Sequence, residues 1–384
     1  MTRQILNSVF SGIGGFEVGF RNAGFITALM CERDAAAQTV LRQHFPDTRL
    51  ADDIAALSDL PACDVLVGGW PCQDLSQAGR TAGLDGGQSR LVSHIFRLID
   101  ASKVKPKTVM LENVAFSLKL QKGKAIRYVT NELEARSYRW AYRILDTREF
   151  GLPHRRRRIF ICGMRDGDPA GILFDGIDRP AKREDKPRHV GFYWTEGSRG
   201  IGWTLDAVPP LKVGSSLHIP APPAIWTVAS GAFRTPGIGD AERLQGFESG
   251  WTSAAREQHR GELSRWRLVG NAVSVPVAEW LGARLRRDSI RSVGYKALGT
   301  DNYVQHNAAW GGPRESPRYI ATAGEGPATH RRVTLSKFGL ENAADLSKRA
   351  AEGFLRRYMK GGLVKNMQFA QALASYCGLA ELPT

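Results

Sequence analysis

Residues 4–15 read QILNSVFSGIGG, a short apolar run followed by a turn with three glycines. Apolar residues at helical spacing follow at once, from Phe16 to Ala23. A strand that passes through a glycine turn into a helix is typical of an open α/β sheet, and the turn lets the backbone approach a ligand. The spacing differs from the GxGxxG of dinucleotide sites, so a nucleoside cofactor without a pyrophosphate fits this turn better.

Glu32 stands twenty residues after Gly12, at the end of the second predicted strand. A carboxylate in this position can accept hydrogen bonds from ribose hydroxyls. The alternative interpretation is an acid that caps a helix or forms a salt bridge.

Strands and helices alternate along the first 165 residues. The predicted strands occupy 4–10, 25–31, 63–67, 107–111, 138–145 and 157–163, and the predicted helices 16–23, 35–44, 88–102 and 121–136. This alternation predicts an α/β fold whose doubly wound, mostly parallel sheet is covered by helices on both faces.

The composition changes after about residue 165. From there to about 233, glycine, proline and tryptophan are frequent and helical spacing is absent, which predicts a smaller, loop-rich β domain. Helical spacing returns near 240, and Pro276 opens a predicted helix over 275–287. A basic tail follows, with predicted helices over 341–359 and 364–377.

The chain has 384 residues and a formal net charge of +15. Such a surface attracts polyanions, most often nucleic acid, although a basic surface that serves solubility is the alternative. No apolar run approaches the roughly 20 residues of a membrane helix. The five cysteines are scattered and form no CxxC pair, which argues against a zinc site or a disulfide framework and favours a reducing cytoplasm.

Cys72 lies in the sequence GGWPCQDLS, residues 68–76, directly after a predicted strand. An apolar strand that ends in two glycines indicates a loop where a sulfur can meet a ligand, and thiolate attack is one of the few ways to activate an unreactive carbon. The alternative is a buried, inert cysteine packed under the loop.

Two further groups of polar residues follow apolar strands. Glu112 and Asn113 stand where the fourth predicted strand meets its loop, a usual location of ligands in α/β sheets, although an acid that caps the next helix is the alternative. The run HRRRR, residues 154–158, places four arginines at the entry of a strand. Alternation sends Arg156 and Arg158 to one face and the other two to the opposite face, unless the run is simply a solvated charged segment.

The order of these motifs strongly resembles that of the cytosine-C5 DNA methyltransferases. The matching pieces are Phe-x-Gly-x-Gly-Gly at 10–15, Glu32, Pro-Cys-Gln at 71–73, Glu-Asn-Val at 112–114, Arg-x-Arg at 156–158, Arg-Leu-Gln-Gly-Phe at 243–247 and Gly-Asn-Ala-Val at 270–273. The resemblance covers about residues 4–165 and 234–285. It implies a methyltransferase of the Rossmann-like SAM-dependent type.

The resemblance implies that S-adenosylmethionine (SAM) is the cofactor and S-adenosylhomocysteine (SAH) its product. The residues that it assigns to the cofactor pocket are Phe10, Gly12, Gly14, Gly15, Phe16, Glu32, Asp53, Ile54, Leu91, Asn271, Ala272 and Val273. Glu32 corresponds to the ribose ligand, Phe10 to the residue that stacks near the adenine, and Asp53 and Ile54 to its edge. No metal is implied.

The resemblance also implies roles for the catalytic residues. Cys72 adds to C6 of a cytosine that has been flipped out of the duplex, so that C5 can accept the methyl group. Glu112 binds the N3 side of the ring, and Asn113 fixes the loop. Arg158, supported by Arg156, contacts the O2 side and favours the Cys72 thiolate.

The resemblance predicts a division of labour along the chain. Residues 1–165 and 234–287 would form the catalytic domain, and 166–233 the target-recognition domain. Residues 288–384 lie outside the resemblance, and we expect this basic extension to contact DNA or to brace a domain. Residues 74–88, with Gln77 and Arg80, match the loop that closes over DNA. The recognition region carries basic and aromatic residues, namely Arg179, Lys182, Arg183, Lys186, Arg188, Arg199, Lys212, Phe192, Tyr193, Trp194, Trp203 and Trp226.

The sequence therefore predicts a monomeric cytoplasmic enzyme that associates with the nucleoid by binding double-stranded DNA, without membrane or metal. A cognate restriction endonuclease as partner and an enzyme without one are both left open. The chain departs from the family pattern at Trp70, Arg90 and His154, and none of these changes removes a catalytic group. The alternatives are a methyltransferase of structured RNA with the same chemistry, and a catalytically silent DNA-binding protein. A nicotinamide-dependent dehydrogenase is disfavoured by the missing GxGxxG.

Overall fold

The computed structural model describes residues 3–71, 89–174, 187–198, 200–212, 220–258, 261–287, 298–299, 302–313, 316–321, 323–327 and 332–383. The chain divides into two compact units, each built from three separate segments. The first unit comprises Met1–Phe150, Arg157–Ala181 and Val273–His330, and the second comprises Gly151–Arg156, Lys182–Ala272 and Arg331–Thr384.

The strands are short, and a helix separates most of the first six from one another. In chain order they are β1 (Ile5–Val9), β2 (Ile26–Cys31), β3 (Arg49–Ala51), β4 (Val65–Gly69), β5 (Thr108–Val114), β6 (Arg139–Asp146), β7 (Arg157–Met164), β8 (His189–Phe192), β9 (Thr204–Leu205), β10 (Ala224–Thr227), β11 (Ala232–Thr235), β12 (Leu298–Gly299), β13 (Ala308–Gly311), β14 (Tyr319–Ile320) and β15 (Ala344–Asp345).

The helices are α1 (Gly15–Asn22), α2 (Ala35–His44), α3 (Ser89–Ala101), α4 (Lys124–Ala135), α5 (Pro169–Leu173), α6 (Ile238–Arg243), α7 (Ala254–Gln258), α8 (Glu262–Asn271), α9 (Val275–Leu285), α10 (Leu335–Phe338), α11 (Lys348–Lys360) and α12 (Met367–Cys377).

The first unit is built on a ten-stranded sheet in the order β12-β14-β13-β6-β7-β5-β4-β1-β2-β3. Strands β3, β2, β1, β4 and β5 are parallel. From β5 onward the neighbours β7, β6, β13, β14 and β12 pair antiparallel. The sheet thus has a parallel half and an antiparallel half that meet between β5 and β7.

Helices cover both faces of this sheet. One core cluster contains α3 and α4 with Val9, Leu66 and Val109 from the strands. The other contains α1, α5 and α9 with Leu6, Val65 and Met110. Because adjacent strand residues point to opposite faces, each buried strand serves both clusters, as expected for a doubly wound α/β fold. The α/β prediction is confirmed.

The second unit is a five-stranded antiparallel sheet backed by the last two helices of the chain. Its strand order is β15-β11-β10-β8-β9. The apolar faces of α11 and α12 pack on this sheet in one cluster, in which Phe354 and Phe369 are fully buried. Phe369 lies 5.0 Å from Phe192 and 5.4 Å from Trp226, measured between ring centroids. The C-terminal helices therefore supply half of the core of this unit.

The strands and helices predicted in the first 165 residues all occur, with shifts of a few residues at their ends. The short strand β3 was not predicted, since three residues carry no clear periodicity. The helix predicted over 341–359 begins only at Lys348, because Ala344 and Asp345 pair with β11 and Ser347 caps the helix.

The compact units do not follow the predicted segment boundaries. Residues 166–174 stay with the first unit through α5, and Ala308–Gly311 adds a strand to its sheet beside β6. The last segment of the chain belongs to the second unit. The predicted functional meaning of each segment stays a prediction. In the described part of the chain, none of the helices has the length and apolar character of a membrane span.

We expect the substitution Phe369→Ala to lower the free energy of unfolding of the second unit by about 3–5 kcal/mol, because it opens a cavity in a fully buried aromatic cluster. Met367, in the first turn of the same helix, is 47% exposed, and Met367→Ala should change the stability by less than about 0.5 kcal/mol. Pulse proteolysis in a urea series measures both. Equal midpoints for the two variants would contradict the assignment of α12 to the core.

Candidate active site

The turn between β1 and α1 has a backbone conformation that favours glycine. Gly12 and Gly14 have φ angles of 58° and 92°. Phe10 shares the left-handed region with a φ of 56°, a conformation that costs about 1–3 kcal/mol in a residue other than glycine. A Cβ on Gly12 would point into open space, whereas one on Gly15 would lie 2.2 Å from the Val273 carbonyl oxygen. The space beside the backbone is therefore free at Gly12 and occupied at Gly15.

Glu32, the residue after β2, is hydrogen-bonded to this turn. Its Oε2 accepts a hydrogen bond from the N–H of Gly12 at 2.8 Å, and its Oε1 accepts one from the N–H of Asp34 at 2.8 Å. Burial raises the pKa of Glu32, and these two backbone groups partly offset that rise. Because each carboxylate oxygen can accept a second hydrogen bond, Glu32 keeps the capacity to bind a pair of hydroxyls.

Asp53 and Ile54 follow β3, beside the end of β2. Ile54 is buried in the core, and Asp53 accepts a hydrogen bond from the N–H of Ala55 at 2.9 Å. Burial raises the pKa of Cys31 to about 12, and the negative charges of Glu32 and Asp53 add to the rise. Both acids therefore lie close to the last residue of β2.

The apolar residues predicted for the cofactor pocket differ in exposure. Phe16 is buried beneath the turn, with its ring 6.1 Å from that of Phe20 and 6.4 Å from that of Phe160 between centroids. Phe10 and Leu91 are half-buried and pack against the cluster that contains α3. The position of Phe16 is that of a core residue under the turn, whereas Phe10 and Leu91 retain exposed surface.

Asn271, Ala272 and Val273 connect α8 to α9. Asn271 is exposed, and Val273 is half-buried with its carbonyl oxygen against Gly15. The carbonyl oxygen of Ala272 accepts a hydrogen bond from Nε2 of Gln245 at 3.3 Å. Val273 is thus the residue of the three that the structure brings to the glycine turn.

Glu112 and Arg158 form an ion pair at the boundary between the two halves of the sheet. Their strands β5 and β7 are antiparallel neighbours, and Nε of Arg158 lies 3.0 Å from Oε1 of Glu112. Gly69 in β4 pairs with Glu112, and a Cβ on Gly69 would lie 3.3 Å from Oε2 of Glu112. The glycine therefore leaves room for the carboxylate, which is only 7% exposed.

Asn113 links β5 to the loop that carries the predicted nucleophile. Its Nδ2 donates to the carbonyl oxygen of Trp70 at 3.2 Å, and its Oδ1 accepts from the N–H of Val114 at 2.7 Å. Trp70 is buried in the core, two residues before Cys72. Asn113 thus fixes the start of this loop, and the bulky indole of Trp70 serves packing.

Exposure alternates along the arginine run, although β7 begins only at Arg157. Arg155 and Arg157 are exposed, while Arg156 is buried and Arg158 is largely so. Within the second unit, Arg156 donates to the carbonyl oxygens of Gly270 and Ala272 at 2.9 and 2.8 Å. Its guanidinium holds the backbone that leads into α9, a contact that the sequence did not suggest.

Cys72 lies outside the described residues, as do Gln77 and Arg80 of the loop 74–88. The other four cysteines are unsuited to nucleophilic attack. Burial raises the pKa of Cys63 to about 12, and it also raises the pKa of Cys31, Cys162 and Cys377. A thiol with a raised pKa carries little thiolate near neutrality.

The aromatic residues of the predicted recognition region lie in the core of the second unit, as is more usual for such residues than a stacking role. Phe192 and Trp226 are buried, and Trp194 and Trp203 pack against the same cluster. The basic residues that the structure describes are Arg188, which is exposed, and Lys212, whose ammonium lies 3.7 Å from the Tyr193 ring centroid. Outside the described residues lie Arg179, Lys182, Arg183, Lys186 and Arg199.

Glu17 is a buried acid that the sequence analysis did not single out. It is the third residue of α1 and is fully buried, and burial raises its pKa to about 6. Its spacing from Phe20, three residues on, is the signal that places it on the buried face of the helix. Among the described residues, no donor meets either carboxylate oxygen at hydrogen-bonding geometry.

A nucleoside cofactor with hydroxyls and an amino-acid group fits the residues around the turn. Glu32 offers acceptor capacity for a ribose, and the open side of Gly12 leaves the backbone accessible. The described residues contain no group of His, Cys, Asp or Glu side chains that could hold a metal ion.

Comparisons with known proteins agree on one family. Residues 6–189 match the family model described as C-5 cytosine-specific DNA methylase. The Type II methyltransferase M2.BsuMI of Bacillus subtilis (strain 168) is 41% identical over 361 residues, which covers 91% of this chain and 92% of that protein. The Type II methyltransferase M.HaeII of Haemophilus aegyptius is 34% identical over 299 residues, covering 70% of this chain and 88% of that protein.

The fold has a counterpart among solved structures. The crystal structure of the S. pombe Dnmt2 methyltransferase superposes with a TM-score of 0.54 at 15% identity, covering 73% of this chain and 98% of that chain. At this level of identity the similarity concerns the fold alone.

We expect Glu17→Gln to stabilise the protein at neutral pH by about 2 kcal/mol, the equivalent of a pKa raised from 4.5 to about 6. Below pH 4.5 the carboxyl is protonated in the folded and unfolded chains alike, so the two proteins should be equally stable. As the pH rises from 4.5 to about 6, the unfolded chain releases its proton first, and the wild type should lose stability. Urea unfolding across this range measures the difference, and a constant difference at all pH values would refute the assignment.

Proposed function

The chain belongs to the C-5 cytosine-specific DNA methylase family and is a DNA (cytosine-5-)-methyltransferase, and from this premise we propose that it methylates C5 of a flipped-out cytosine by covalent catalysis with SAM as donor. The observation that carries the proposal is the Glu112–Arg158 ion pair at the carboxyl end of β5, beside the loop that Asn113 fastens. Two opposite charges held there can bind both edges of a pyrimidine ring.

The cofactor is bound, in this proposal, at the glycine turn. SAM when bound supplies an electrophilic methyl group. Glu32 accepts hydrogen bonds from the ribose hydroxyls, and Asp53 and Ile54 border the adenine. The space beside Gly12 is free and can receive the ligand, whereas Val273 fills the space beside Gly15. Gly14, Phe16, Leu91, Asn271 and Ala272 complete the predicted set.

Glu112 and Arg158 bind the target ring. The carboxyl of Glu112 faces N3 and the exocyclic amine, and its hydrogen bonds there offset the charge that develops on the ring. Arg158 donates to O2, and its fixed fork orients the ring relative to Glu112. Arg156 supports the site indirectly, since its guanidinium binds the carbonyl oxygens of Gly270 and Ala272.

Cys72 is the proposed nucleophile. Its sulfur forms a bond to C6 as the C5–C6 π electrons shift onto the ring, which makes C5 nucleophilic. C5 then takes the methyl group, a base removes the C5 proton, and the returning electron pair expels the Cys72 thiolate. The raised pKa of each of the other four thiols supports Cys72 in this role.

The second unit is the proposed reader of the DNA sequence. The cytosine must leave the duplex, because C6 is inaccessible within the base stack. The net charge of +15 supports binding to the phosphates of double-stranded DNA, and exposed side chains of this unit would read base edges. Because the relatives named above are Type II methyltransferases, we further propose a monomer that works in the cytoplasm beside a cognate restriction endonuclease.

Cys72→Ala should abolish methyl transfer to double-stranded DNA, because the covalent step has no substitute nucleophile. Cys377→Ala, at the end of α12, provides a thiol control and should retain activity. Transfer of label from SAM to plasmid DNA measures both, with tRNA as a parallel substrate. Once the site is known from bisulfite sequencing, a duplex with 5-fluorocytosine there should become covalently bound to the wild type. Labelling of tRNA alone would redirect the assignment to RNA.

Arg158→Lys should lower kcat/KM for DNA by about 10²–10³-fold, because lysine keeps the charge but cannot reproduce the guanidinium fork. Arg157→Lys is the matched control. Arg157 is exposed and pairs with Glu325, so its substitution should leave kcat/KM almost unchanged. Single-turnover methylation with each variant measures the effect, and comparable losses in both variants would refute a specific role for Arg158.

A further inference from the structure

Glu17 lies two residues beyond Gly15, just after the glycine turn, and no cation is recorded beside it among the described residues. It occupies the first turn of α1, which begins at Gly15, and its side chain is fully excluded from solvent. An ionisable group in such a place lowers stability at neutral pH, since burial disfavours the charged form. A buried ionisable group that lowers stability is a candidate for a functional use.

The surroundings of Glu17 are polar on the side of the turn. The hydroxyls of Ser8 in β1 and Ser11 in the turn lie close enough to favour its ionised form. Ser11 donates to Ser8 at 3.0 Å between the hydroxyl oxygens, and Oγ of Ser11 accepts from the N–H of Cys31. The Glu17 carboxyl therefore lies beside the two hydroxyl groups whose hydrogen bonds hold the turn in place.

The other charged groups near Glu17 are few. From the end of β2, Glu32 faces it and repels its negative charge. From α9, the residues that meet α1 include Ala278 and Gly282, which carry no charge.

The charged side chains of α9 and of its C-cap are engaged elsewhere. Glu279 accepts from Asn22, Arg284 donates to the carbonyl oxygens of Gly171 and Ile172, and Arg286, the C-cap, donates to those of Ala23 and Gly24. Within the described residues, no cation is therefore recorded as neutralising Glu17.

We propose that the Glu17 carboxylate is an electrostatic positioning group of the cofactor site, which strengthens binding of the cationic sulfonium donor relative to the neutral thioether product. The inference rests on the proposed function, since it concerns the cofactor assigned there. The N-terminus of α1 carries a partial positive charge that opposes a sulfonium. A buried carboxylate in the first turn of α1 attracts the sulfonium and so outweighs the repulsion by the helix N-terminus. The attraction is strong because little water screens it. The product lacks the positive charge, so it gains less and leaves more readily.

Isothermal titration of SAM and of SAH, each at about pH 5 and about pH 7.5, tests this inference without any turnover. In the wild type, the ratio of SAM affinity to SAH affinity should rise on the order of tenfold between the two pH values, as Glu17 ionises. Glu32 also has a raised pKa, but it binds the ribose that both ligands share, so much of its contribution cancels in the ratio.

In Glu17→Gln the ratio should stay at the wild-type value for low pH, at both pH values. Glu279→Gln, an exposed acid on the helix that packs against α1, is the matched control and should behave as the wild type. A wild-type ratio that is independent of pH would overturn the inference even if the Glu17 variant does not fold. A ratio that still rises in Glu17→Gln would overturn it as well. Failure of the wild type to bind SAM at either pH would instead overturn the proposed cofactor.

Discussion

The ion pair between Glu112 and Arg158 spans the line where the parallel half of the sheet meets the antiparallel half. In an open α/β sheet, ligands bind at the edge formed by the carboxyl ends of the parallel strands. A strand that pairs antiparallel with one of them begins at this same edge. Only this change of direction between β5 and β7 brings the last residues of one strand beside the first residues of the next. The contact between Glu112 and Arg158 therefore depends on the sheet topology itself.

The turn after β1 depends on a second constraint, which is that close packing leaves no space for a side chain at two positions of α1. Gly15 abuts the Val273 carbonyl oxygen, and Gly19 further along α1 lies against α9 in the same way. The close approach of these two helices seals the turn on one side, and the bond from Gly12 to Glu32 ties it to β2. The turn therefore has free space at Gly12 and none at Gly15.

The sequence predicted those features that depend on neighbouring residues. The alternation of apolar strands and helices located β1 to β7, and motif order located Glu32, Glu112 and Arg158. It could not place β13 beside β6 or α12 on the five-stranded sheet of the second unit, since those pairings join segments far apart in the chain. Glu17 was missed for a related reason: a single acid in a helix resembles a solvated one until its surroundings are known.

The dependence of the second sheet on α11 and α12 has a consequence for biosynthesis. Strands β8 to β11 emerge from the ribosome long before the helices that cover their apolar face, so that face must wait uncovered during translation. A chain that ends before these helices would contain all the strands of the first sheet but would lack the apolar residues that cover the second sheet.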